Sequence, residues 1–185
     1  VYFEGKSVFE LTQREQAEKI GFVLQNPDNQ LVCDKVWHEL AFGLESLGCP
    51  AEEIRSRAAE TASFFGIQNS FYDNVNTLSG GQKQLLNLAA VMVMRPSLLI
   101  LDEPTSQLDP IAASEFLNAL SRINKELGTT VIMSEHRLEE VFPLADKAVV
   151  MENGEILDCG TVREVGKTLK NSNSDMYNAL PVPMR

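Results

Sequence analysis

The stretch Leu98-Leu99-Ile100-Leu101 is apolar without interruption and stops at two adjacent carboxylates, Asp102 and Glu103. A strand with one wet face alternates apolar and polar residues, whereas a continuous apolar run belongs inside a parallel sheet covered on both faces. Parallel neighbours need crossover connections, and the flanking sequence supplies them. From Ser79 onward the periodicity predicts a helix over 81–94, a strand over 97–102, a helix over 110–127 and a strand over 129–134. A helix over 138–145 and strands over 147–151 and 155–159 follow, and Thr161-Val162-Arg163-Glu164 announces a last helix as a capping box. This alternation implies an α/β fold with a largely parallel sheet. The strand ending in Asp102-Glu103 then delivers both acids to the sheet's carboxyl edge, where open α/β sheets bind ligands. One can hold Mg²⁺ and the other can orient water.

The remainder of the chain divides by texture. The segment 19–25 reads as a short buried strand, ended by the turn Asn26-Pro27-Asp28-Asn29. Residues 33–47, 51–65 and 71–77 hold helical periodicity, broken at Gly48-Cys49-Pro50 and Gly66, so the middle is a helical insert. Residues 170–185 lose periodicity and turn polar, then proline-rich, as a linker or a severed end would.

Near the start, Gly5-Lys6-Ser7 spells the last letters of a phosphate-binding loop. The residues before it, Val1, Tyr2, Phe3 and Glu4, are poorly suited to a tight anion nest. A P-loop helix would also begin at the lysine, yet the helix signal here is the capping box Thr12-Gln13-Arg14-Glu15. Val8 to Leu11 alternates and reads as extended. Gly5-Lys6-Ser7 is therefore expected to be a hairpin turn.

With 185 residues and 44% hydrophobic content, the chain can bury one real core. Its formal charge of −10 argues against nucleic acid as a partner. Three cysteines without metal-ligand spacing point to neither zinc nor a disulfide. The apolar run 85–94 is too short to span a bilayer and contains Asn87.

A second constellation stands at Leu78-Ser79-Gly80-Gly81-Gln82, where two glycines and a hydroxyl precede a long helix. The free N–H groups and positive dipole end of that helix form an anion site in principle. Asp109 before Pro110 is an N-cap followed by proline at the first helical position. His136 falls where a strand gives way to a helix, while His38 beside Trp37 reads as structural.

Taken together, LSGGQ, LLILDEP, SQLD and the histidine after VIMSE resemble the nucleotide-binding domain of an ATP-binding cassette (ABC) transporter, over about residues 1–169. The resemblance implies a P-loop NTPase (RecA-like) ABC ATPase core with an inserted α-helical subdomain, using ATP and Mg²⁺. It implies that Gln25 is the Q-loop glutamine sensing metal and water, and that Ser79, Gly80, Gly81 and Gln82 contact ATP held by an opposite domain. Asp102 would be the magnesium-associated acid, Glu103 the general base, Asp109 the D-loop acid and His136 the switch histidine. The implied domains are 1–27, the end of a β-subdomain and the Q-loop strand; 28–77, the helical subdomain; 78–169, the core; and 170–185, the linker.

Two departures accompany the match. Leu85 and Leu86 stand where most members carry arginine, and neither the Walker A P-loop nor the adenine-stacking aromatic is present, so the chain is expected to be a fragment inactive by itself. QNPDNQLV, SQLDP and SEHRLEEVFPLADK are most similar to energy-coupling factor ATPases, which power uptake of vitamins or metal ions. The implied partners are a second ABC ATPase domain, in the same chain or another, and a transmembrane subunit, with a cytoplasmic location on the inner face of the membrane. A soluble ABC-type ATPase outside transport and a non-catalytic interaction module are the alternative readings.

Overall fold

The computed structural model describes residues 1–171, and its backbone forms two compact units, residues 1–134 and a second that opens at Glu135. The expected linker over 170–185 lies, beyond residue 171, outside the described residues.

The first unit opens with β1 (Tyr2–Phe3) and β2 (Lys6–Ser7), an antiparallel hairpin. Glu4 and Gly5 form its turn at φ 49° and 80°, the left-handed pair that a two-residue primed turn requires. Gly5-Lys6-Ser7 is thus the turn and returning strand of a hairpin. The expected extended piece at Val8 is instead a 3₁₀ turn, Val8–Glu10, whose Val8 carbonyl accepts from the Leu11 N–H at 3.4 Å before α1 (Gln13–Lys19) begins. Thr12 caps α1 through the anticipated box, accepting from the Glu15 N–H while Glu15 accepts from the Thr12 N–H at 2.8 Å.

Then come β3 (Ile20–Val23), α2 (Val36–Ser46), α3 (Ala51–Phe64), α4 (Gly80–Met92), β4 (Leu98–Asp102), α5 (Pro110–Leu127) and β5 (Thr130–Ser134). The helix expected from residue 33 starts only at Val36, because the Val32 and Cys33 amides turn aside to the buried Glu39 carboxylate, at 3.0 and 2.7 Å. The helix expected over 71–77 is a bend followed by a single 3₁₀ turn, Val75–Thr77, capped by Asn74.

Strands β3, β4 and β5 pair in parallel in that order, with Val23, Leu101 and Met133 in register. Gly21, Val23, Leu99 and Leu101 on one face are buried. Gly21 permits the closest approach of α4, since a Cβ there would lie 2.4 Å from the Val91 side chain. Cover on both faces was expected; among the described residues only this face is covered. Phe22 and Ile132, in register with Ile100 on the other face, are 54% and 55% exposed. The strands are laid down in one direction, so right-handed crossovers place α4 and α5 on the same side.

The second unit contains α6 (Leu138–Val141), β6 (Lys147–Glu152), β7 (Glu155–Thr161) and α7 (Val162–Asn171). Strands β6 and β7 form an antiparallel hairpin turned at Asn153 and Gly154, φ 52° and 83°. Phe142, Val150, Val165 and Leu169 make its core. Helix α6 is one turn rather than the two expected over 138–145, since Pro143 lacks the N–H that would continue it. Thr161 and Glu164 cap α7 reciprocally, with bonds of 2.9 and 3.3 Å.

Candidate active site at the carboxyl edge of the sheet

The in-register pairing of Asp102 with Ser134 brings β5's last residue beside β4's. Ser134 Oγ donates to Asp102 Oδ1 at 2.9 Å and accepts from the Glu103 N–H at 3.0 Å, while Ser134 O accepts from the same N–H at 3.2 Å. One serine therefore orients one acid's carboxylate and the next acid's main chain. Glu103 lies at φ 41°, a left-handed conformation that costs a non-glycine residue roughly 1–2 kcal/mol. Such a conformation persists only where surrounding structure over-determines it. From the end of β3, Gln25 Nε2 reaches Glu103 Oε2 at 3.3 Å and Ser106 Oγ at 3.1 Å, and Ser106 Oγ donates to the Glu103 carbonyl at 2.9 Å. Gln25, Asp102 and Glu103 thus converge on one edge, where the apolar run had placed the two acids. Ser106 and Ser134 are the supporting hydroxyls that sequence reasoning passed over.

Ser79 caps α4 through a box with Gln82: Ser79 N–H donates to Gln82 Oε1 at 2.9 Å, and Gln82 N–H to Ser79 Oγ at 3.3 Å. A Cβ on Gly80 would meet nothing within 4 Å, so this stretch of first-turn backbone is open to an approaching group. A Cβ on Gly81 would instead stand 2.7 Å from Ala112 Cβ, so its absence lets the starts of α4 and α5 touch. Asp109 accepts from the Ile111 and Ala112 N–H groups at 2.9 and 3.0 Å, capping α5 at that contact. His136 belongs to the second unit, where its N–H donates to Glu135 Oε2 at 3.3 Å. His38, read as structural, bonds Asp34 at 3.0 Å and leans on Trp37.

Helix α4 also reaches the segment that follows β3 through groups that the sequence reading left unassigned. Gln84 Nε2 donates to Leu24 O and Pro104 O at 3.1 and 3.2 Å. Asn87 Nδ2 donates to Gln30 Oε1 at 3.1 Å, which also accepts from the Leu24 N–H at 2.9 Å. Lys83 pairs with Asp28 at 2.7 Å. For Asn87 the sequence carried a signal, since it interrupts an apolar run; Gln84, one turn before it on the same face, carried none.

Among the described residues, no three His, Cys, Asp or Glu side chains form a metal cage. Mg²⁺ needs none, because it is bound by one or two carboxylates with phosphates and water completing the octahedron. An exposed Asp102 with one oxygen oriented by Ser134 fits that requirement for a magnesium carried by a nucleotide. The capped, glycine-opened start of α4 fits a phosphate in the same way.

The sequence profile of the ABC transporter family matches residues 1–106. An ABC transporter ATP-binding protein of Bacillus cereus is 55% identical over 164 residues, which are 89% of this chain and 30% of that protein. The energy-coupling factor transporter ATP-binding protein EcfA1 of Symbiobacterium thermophilum is 43% identical over 161 residues, covering 84% of this chain and 56% of its own. The structure of cbiO1 from Clostridium perfringens, part of the ABC transporter complex cbiONQ, superposes with a TM-score of 0.81 at 33% identity, covering 96% of this chain and 72% of that one. The chain belongs to the ABC transporter family of ATP-binding proteins, and its fold is the P-loop NTPase fold of ABC ATPase domains. It spans between 30% and 56% of the length of these two curated relatives.

Proposed function

We propose that the chain is part of an ATP-hydrolysing subunit of an energy-coupling factor-like importer, which couples hydrolysis to uptake of a vitamin or metal ion. The observation that carries this reading is Glu103, restrained in an unfavourable backbone conformation beside Asp102 and within hydrogen-bond reach of Gln25. Asp102 would hold Mg²⁺, which when bound neutralises charge on the phosphates. Glu103 acts as general base toward the attacking water, Gln25 orients the same water and senses the metal, and His136 stabilises the terminal phosphate. Ser79, Gly80, Gly81 and Gln82, with Asp109, face the nucleotide of a second ABC ATPase domain. Nucleic acid is not a partner on this reading. Residues 1–27 serve as the end of a β-subdomain and the Q-loop strand, 28–77 as the helical subdomain and 78–169 as the catalytic core.

The helical segment also gives the transport reading a surface. Val36, Leu40 and Leu44 are core, but Val32 and Phe42 are 65% and 49% exposed. These two residues are candidates for contact with a transmembrane subunit, which would hold the protein on the cytoplasmic face of the membrane. Substituting Val32→Asp and Phe42→Asp in the full-length protein should release that subunit in pull-down while ATP binding is kept.

The catalytic assignment is tested by Glu103→Gln in the full-length protein. Turnover should fall by roughly 100-fold or more with ATP binding intact, since a general base contributes about that much. Turnover within about threefold of wild type would remove Glu103 as the base.

A further inference from the structure

Gln84 is 1% exposed on α4 and takes no part in the roles above. Its amide nitrogen donates to the carbonyls of Leu24 and Pro104 at 3.1 and 3.2 Å. Both neighbours are acceptors, so chemistry fixes which end of the amide faces them. Leu24 immediately precedes Gln25, and Pro104 immediately follows Glu103. A single buried NH₂ group therefore fastens the main chain next to each of the two residues whose side chains meet at 3.3 Å.

The same helix holds this edge a second time. Asn87 binds Gln30, and Gln30 binds the Leu24 N–H at 2.9 Å and the Phe22 carbonyl at 2.8 Å. Leu24 is thus held at its carbonyl by Gln84 and at its N–H through Asn87. Glu103 is likewise restrained on both sides, its own N–H by Ser134 and, one residue further on, the Pro104 carbonyl by Gln84. The other end of the Gln84 amide, Oε1, is buried without a protein partner. An apolar side chain would fill the space without that unpaired acceptor, so packing alone does not account for glutamine here.

We propose that Gln84 is a positioning residue for ATP hydrolysis: from the signature helix it clamps the main chain beside Gln25 and Glu103, keeping the two side chains in mutual reach. The proposal rests on Glu103 being the base. Gln84→Met, which keeps volume and removes the donor, should lower kcat by about tenfold or more in the full-length protein with KM for ATP within about twofold. Hydrogen exchange should speed up in peptides covering 24–26 and 103–106 and stay unchanged in α5. Gln84→Glu provides a second variant. Its buried carboxyl is held neutral and keeps one O–H donor, so it should turn over faster than Gln84→Met at low pH and lose that advantage as pH rises and the group ionises.

A kcat within about twofold of wild type in Gln84→Met, or unchanged exchange at both segments, overturns the clamp. If the Met variant does not fold, the Glu variant decides: turnover equal to wild type at every pH overturns it. Glu103→Gln in the same background separates this proposal from the one beneath it. Full turnover there removes Glu103 as base, while the exchange pattern of Gln84→Met still decides whether the clamp exists.

Discussion

Three thiols occupy three environments, with Cys33 and Cys49 half-buried and Cys159 exposed. Burial, then the neighbouring Glu39 carboxylate, pushes the Cys33 thiol up from an ordinary 9.0 to about 11. A thiolate is the reacting species, so iodoacetamide at pH 8 should alkylate Cys159 well before Cys33, read by peptide mass spectrometry. The same shift has a thermodynamic sign. Because the folded state holds the proton more tightly, stability from this group is full below pH 9 and is lost as pH rises through about 11. Cys33→Ala should flatten that alkaline fall in denaturation midpoints. That Asp102 and Glu103 lie at the sheet edge was legible because they end an apolar run, whereas Gln25 was singled out only by the resemblance. Gln84 was not legible, since a glutamine in a helix reads as a solvated face until the neighbouring loops are placed against it.

The helix starts show how local chemistry becomes long-range contact. Thr12, Asp109 and Thr161 each cap the helix that the sequence assigned to them, because a cap is decided within four residues. The errors have both local and distant causes: Pro143 stops α6 and Glu39 delays α2, whereas over 71–77 the periodicity was overridden by a partner distant in sequence. Lys35 and Asn74 form an isolated bridge, which holds the segment before Val75 away from the helix its periodicity suggested. The junction of α4 and α5 gives a direct test. Gly81→Ala should destabilise by about 1–3 kcal/mol through overpacking against Ala112, whereas Gly80→Ala, which meets nothing, should be close to neutral. Adding Ala112→Gly to Gly81→Ala should recover part of the loss, visible as a coupling energy in a denaturant double-mutant cycle.

For the molecule as a whole, the α/β class was readable from the alternation after Ser79, but the one-sided cover among the described residues was not. It depends on strand order, which periodicity does not encode. The 185 residues contain no G-x-x-x-x-G-K-[ST] sequence, and Gly5-Lys6-Ser7 is spent on a hairpin. The polypeptide of these residues alone should therefore bind ATP weakly and hydrolyse it negligibly; micromolar affinity by calorimetry would contradict that. The row Phe22, Ile100 and Ile132 also governs how such a polypeptide behaves in the test tube. It forms an apolar band across three parallel strands, and β3 and β5 are edge strands among the described residues. Like charge, −10 for the chain, keeps molecules apart at low ionic strength. Added salt should screen that repulsion and let the bands meet, so light scattering should rise with both salt and protein concentration. Phe22→Lys should suppress that rise and lower the fluorescence of a bound hydrophobic dye, making one lysine a practical handle on the solubility of this polypeptide.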